Sequence, residues 1–169
     1  MRLFNVKNMM LAAGCALLLS GCTESNIVKP EASDAPDFNI YDNIELDENQ
    51  LKADWEDVCL DEDDYPMAAA LSFELHPDDG YVDMSVVVKD GTTAEDAAKY
   101  ADEAIKSFND QIAIQDFSYG ASEETSFGGF FQDNEIHLKL YEGSAYEAGG
   151  EPFYETTVPK DTYMTFDIS

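Results

Sequence analysis

Apolar and polar positions alternate most regularly between residues 71 and 88. Leu71, Phe73 and Leu75 alternate with Ser72 and Glu74, the two-residue period of a strand with one buried face. Val82, Met84, Val86 and Val88 do the same against Asp83, Ser85 and Lys89. Between the two runs, His76-Pro77-Asp78-Asp79-Gly80 is turn chemistry: proline presets φ, and glycine supplies a positive φ at the end. The two strands are expected to pair as a hairpin.

The period then lengthens. Ala97, Ala98, Ala101, Ala104, Ile105, Phe108 and Ile112 share one side of a helix over residues 93–112, with Glu95, Asp102, Glu103, Lys106 and Asp110 opposite. Gly91 stops the preceding strand, and Thr92 with Glu95 has the spacing of a capping box. The small alanines let this helix lie close on a sheet. Upstream, Leu51, Trp55 and Val58 fall at helical spacing and predict a short helix near 47–59, with Trp55, the only tryptophan, in the core. Downstream, residues 114–126 follow neither period, and Gly120 and Ser122 suggest a loop.

Residues 127–131 and 135–141 read as a second hairpin around Asp133-Asn134. In its second strand Ile136, Leu138 and Leu140 face one way, and His137 and Lys139 face solvent. A loop over 143–152 leads to an edge strand over 153–158, stopped by Pro159. Met164, Phe166 and Ile168 alternate with Thr165 and Asp167 as a final strand. The expected fold is α+β: a mainly antiparallel sheet of about five or six strands, the long helix on one face, and a short N-terminal helix.

The first residues follow a different rule. Arg2 and Lys7 precede an uninterrupted apolar run from Met9 to Leu19. At about 1.5 Å per residue that run is too short for a ~30 Å hydrocarbon core, but it suits the apolar region of an export signal. It closes on Leu19-Ser20-Gly21-Cys22, which resembles the lipobox of bacterial lipoproteins. That resemblance implies a diacylglyceryl group on the Cys22 thiol, removal of residues 1–21, and a domain held outside the cytoplasm at the cell membrane or outer membrane. Two or more acyl chains anchor a protein stably, where one does so only marginally. Residues 22–37, rich in Ser, Pro, Glu and Asp, read as a flexible acidic tether, and 38–169 as one α+β domain.

Charge narrows the partners. The formal net charge is −27, from 9 Lys and Arg against 36 Asp and Glu. Cleavage after Gly21 removes Arg2 and Lys7, leaving 7 Lys, no Arg and a net charge of −29. Nucleic-acid recognition depends on clustered Lys and on the Arg fork, so nucleic acid is not an expected partner. The same charge repels anionic headgroups and keeps the domain off the bilayer. A soluble, solvated surface is the first reading of this acidity, and calcium binding the second. The run Asp61-Glu62-Asp63-Asp64 lacks the glycine and distal Glu of an EF-hand loop.

Candidate chemistry is sparse. With Cys15 removed and Cys22 lipidated, Cys59 stands alone, without a disulfide partner and beside Asp57 and residues 61–64, acids that disfavour the thiolate. An inert, buried thiol is expected. The chain carries no hydrolase, zinc-protease or phosphate-loop motif, and His76 and His137 are its only imidazoles. Neither a catalytic set, a metal site nor a cofactor is expected. Tyr141, Tyr146, Tyr154 and Tyr163 gather near the glycine-rich loops of the last third and are the candidate binding residues, able to stack on a sugar or a protein. The function expected is a non-catalytic envelope lipoprotein whose domain binds an envelope protein or glycan. The competing expectations are a small hydrolase of cell-wall glycans using a carboxylate pair and a calcium-binding surface protein.

Overall fold

A computed structural model of the chain describes residues 45–168. The expected export signal over 1–21, Cys22 and the expected tether lie outside the described residues, as does the start of the domain expected from residue 38.

The order is α1 (Glu48–Cys59), β1 (Ala68–His76), β2 (Tyr81–Val88), α2 (Ala94–Gln115), α3 (Phe130–Asp133), β3 (Glu135–Glu142), α4 (Gly143–Glu147) and β4 (Tyr154–Val158). The fold is α+β, with one sheet in the order β1-β2-β3-β4. β1 and β2 form the expected antiparallel hairpin. At its turn the Asp79 and Gly80 amides both donate to His76 O, and Gly80 takes φ 72°.

β2 and β3 pair in parallel, and β3 with β4 antiparallel. The sheet is therefore mixed and four-stranded among the described residues, not the mainly antiparallel sheet of five or six strands. The connection explains the difference: α2 carries the chain back along one face, so β3 enters beside β2 in the same direction, as a helical crossover dictates.

Two expected strands are missing. Residues 127–131 are not the first arm of a hairpin. Phe127, Phe130 and Phe131 are all buried, a spacing of three and four rather than two, and the last two open the single turn of α3. Residues 164–168 keep their alternation, with Phe166 buried and Thr165 and Asp167 exposed, but they pair with no described strand. Alternation reports one buried side of an extended chain, and it does not supply a hydrogen-bonding partner.

Both long helices pack on one face of the sheet. The core unites Leu71, Val82, Met84, Val86, Ile136, Leu138 and Leu140 with Ala97, Ala101, Ala104, Ile105, Phe108 and Ile112 of α2 and Leu51 and Trp55 of α1. The α2 cap lies one residue beyond the expected box: Thr93 Oγ1 accepts from the Asp96 amide and donates to Asp96 Oδ2. Along α1 the buried positions are Leu51, Trp55 and Cys59, an i, i+4, i+8 stripe, and Val58 is 43% exposed. Trp55 Nε1 donates to Ala104 O at 2.8 Å and its ring meets Phe108 edge-on, centroids 5.1 Å apart.

Cys59 is buried, as expected of an inert thiol, but the cause is not its sequence neighbours. Burial itself is the main effect raising its pKa, with a smaller contribution from Glu103 on α2, while a Ser107 hydrogen bond opposes both. Tyr100 seals the same corner, its hydroxyl donating to Cys59 O at 2.9 Å.

The polar side of α2 is only partly solvated. Lys106 and Asp102, 15% and 18% exposed, form an ion pair at 2.8 Å. Lys106 Nζ also donates to Glu124 O and lies 5.0 Å from the centre of the Tyr163 ring. The C-terminal segment thus lies across a helix surface that its charges had marked as open.

Candidate functional site

The opposite face of the sheet carries Ser72, Glu74 and His76 from β1, Tyr81, Asp83 and Ser85 from β2, Glu135, His137, Lys139 and Tyr141 from β3, and Glu155 and Thr157 from β4. Strand pleating puts them there, since every second residue of each strand is committed to the core. Register aligns them in rows: His76 is opposite Tyr81 and Tyr81 opposite Glu135, while Glu74 is opposite Asp83 and Asp83 opposite His137. Of the described helices only α4 reaches this side, covering one end where Tyr146 meets Tyr141 edge-on at 5.2 Å. The Tyr146 hydroxyl lies 3.4 Å from Ser72 Oγ.

The other end holds both imidazoles of the chain. His76 stacks on one side of the Tyr81 ring at 4.2 Å and 20°, and His137 on the other at 4.3 Å and 21°. Asp83 ties the pair together, with Oδ2 3.0 Å from His76 Nε2 and Oδ1 3.4 Å from His137 Nδ1. Glu74 stands 4.0 Å from His76 Nε2, and Glu135 3.8 Å from His137 Nε2. The Tyr81 phenol is held above its ordinary pKa by loss of solvent within the stack and by the carboxylates of Asp83, Asp79 and Glu74.

This grouping did not appear in the sequence reading, which placed His76 at a turn and His137 alone on a solvent face. His137 is on the solvent face expected of it, whereas His76, expected in the turn, ends β1 on that same face. What was missing was the parallel pairing of β2 with β3, which brings residue 137 beside residue 83 across 54 positions of chain. The signal available was chemical: in a chain with two histidines, both fall on polar positions of alternating strands.

The four candidate tyrosines do not form one site. Tyr141 and Tyr146 meet on the outer face. Tyr154 and Tyr163 belong to the helical side, where Tyr154 meets Phe166 and Tyr163 meets Phe127, centroids 6.3 and 5.0 Å apart.

The acidic run after α1 is an exposed turn, in which Asp61 Oδ1 accepts from the Asp63 amide and Glu62 pairs with Lys89 at 3.1 Å. Among the described residues, no group of three or more His, Cys, Asp and Glu side chains is arranged to hold a metal ion. Nor is any described helix long and apolar enough to cross a membrane.

A cavity of about 460 Å³ opens at the same end of the sheet, beneath the β1–β2 turn. The turn, Leu46, Tyr119, both ends of α3 and Lys160 after β4 line it. A second groove of about 570 Å³ runs between the first half of α2 and the segment from Tyr163 to Ile168. The chain matches no family model, no curated protein and no solved structure.

Proposed function

We propose that this chain is a bacterial envelope lipoprotein, anchored by lipid on Cys22, whose tethered domain binds another envelope component, protein or glycan, through the outer face of its sheet. The anchor is supported by the apolar run from Met9 and by Leu19-Ser20-Gly21-Cys22. The observation that carries the binding role is the outer face itself. A two-layer domain buries one side of its sheet, and here the other side gathers both histidines, Tyr81 and Asp83 into one stacked, hydrogen-bonded group. Aromatic and imidazole edges with fixed polar atoms are what specific recognition uses, whereas scattered flexible charges serve solubility. The net charge of −27 disfavours nucleic acid as the ligand.

The test places a photo-cross-linking residue on the full chain in intact cells, at Lys139 or Thr157 on the outer face and at Lys99 on α2 as the control. The expected result is a discrete adduct from the two sheet positions only, abolished by Tyr81→Ser. Equal labelling from Lys99, or adducts with the same chain alone, would contradict the proposal.

A further inference from the structure

The lysines point to a second site. Five of the six described lysines pair with a carboxylate: Lys52 with Glu56, Lys89 with Glu62, Lys99 with Glu95, Lys106 with Asp102 and Lys139 with Glu155. Lys160 is the exception. Its ammonium makes no salt bridge or hydrogen bond to a described residue, although the cavity it lines is also lined by Asp78, Asp79 and Asp133. It lies over the β1–β2 turn, where a side chain at residue 80 would come within 2.5 Å of Lys160 Nζ. Gly80 is needed for its φ of 72°, and the Lys160 ammonium rests against it.

We propose that the cavity of about 460 Å³ beneath the β1–β2 turn binds a free amino acid or short peptide by its two charged ends. Lys160 takes the carboxylate, the aspartates take the ammonium, and the apolar wall takes a side chain. Cavities of this size hold small ligands through an apolar lining and a few fixed polar groups. The wall is Phe130 and Tyr119, packed edge to face at 5.5 Å, with Leu75 beside them. The charge pattern selects the class. Lys160 and the three aspartates are exposed and hydrated, so the selection rests on sign alone: a simple anion would meet the field of three carboxylates, and a simple cation that of Lys160. A zwitterion satisfies both, through charge-assisted hydrogen bonds. This site needs neither the lipid anchor nor an outer-face partner, although His76 and Tyr81 border both places.

The experiment is calorimetric titration of the full chain with L-alanyl-L-phenylalanine, its C-terminal amide and its N-acetyl derivative. The expected result is saturable binding of the free dipeptide, weakened about tenfold or more by removal of either charge. Lys160→Met should lose that factor for the free dipeptide and bind the amide as the parent does. The parent's own discrimination among the three probes decides the matter if the variant does not fold. No saturable binding, or equal affinity for all three probes, would overturn the assignment, as would a folded Lys160→Met variant with undiminished affinity for the free dipeptide. None of these outcomes bears on the cross-linking result at the outer face.

Discussion

Asn109 holds the irregular segment between α2 and β3, and its removal should be felt far beyond its size. The side chain is fully buried on α2. Its Nδ2 donates to Gly120 O at 3.0 Å, and its Oδ1 accepts from the Phe130 amide at 3.0 Å. Gly128, at φ 100°, passes so close that a Cβ there would overlap the Asn109 amide. Asn109→Ala leaves the buried Phe130 amide without a partner, while Gly120 O keeps the Gly129 amide as its donor. One such orphan costs about 1–3 kcal/mol, and the lost bond to Gly120 O adds about 0.5–1.5 kcal/mol. In a domain of ~5–15 kcal/mol total stability this is a large fraction. With a urea slope of about 1–3 kcal/mol/M, the midpoint should fall by about 1–2 M at unchanged slope. Limited proteolysis of the native variant should cut first between residues 116 and 129. A midpoint within the error of the parent would show that the two hydrogen bonds are replaced by water, and the reasoning would fail.

Three further outcomes are expected. Phe108→Ala, at a fully buried ring whose centroid lies 4.9 Å from that of Phe73 and 5.1 Å from that of Trp55, should cost about 3–5 kcal/mol, read from the same denaturation curves. The parent should lose stability in alkali. Burial raises the Tyr100 and Cys59 pKa values, so above pH ~8.5 for the thiol and ~10 for the phenol the unfolded chain releases protons that the native state keeps. Tyr100→Phe should be less stable at neutral pH, by about 1 kcal/mol for the lost bond to Cys59 O, yet show a shallower decline above pH ~10; an unchanged slope would refute the linkage. Melting temperature should rise with NaCl as the net charge of −27 is screened, and a much larger effect of millimolar Ca²⁺ than of Mg²⁺ at equal ionic strength would replace screening by specific binding.

The elements that a local period can describe were legible in the sequence. β1, β2 and α2 each bury one side of a long, regular pattern, and the hairpin turn between the first two is written in Pro77 and Gly80. Pairing was less legible, because β3 has the same period whether its neighbour runs parallel or antiparallel; only the helical crossover settles direction. The segment from 116 to 131 was opaque for a different reason. Its shape is imposed by one buried asparagine and by a glycine at positive φ, long-range constraints with no periodic trace. The His76–Tyr81–His137 group follows from that pairing, so its three members were visible and their meeting was not. Lys160 could not be singled out at all until the other lysines had partners.

The anchor underlies the proposed location, and intact-mass analysis of the protein extracted from membranes tests it most directly. The expected mass corresponds to a chain lacking residues 1–21 and carrying acyl groups on Cys22, with Cys22→Ser remaining uncleaved or appearing in the soluble fraction. An unmodified, water-soluble chain beginning at any other residue would contradict it.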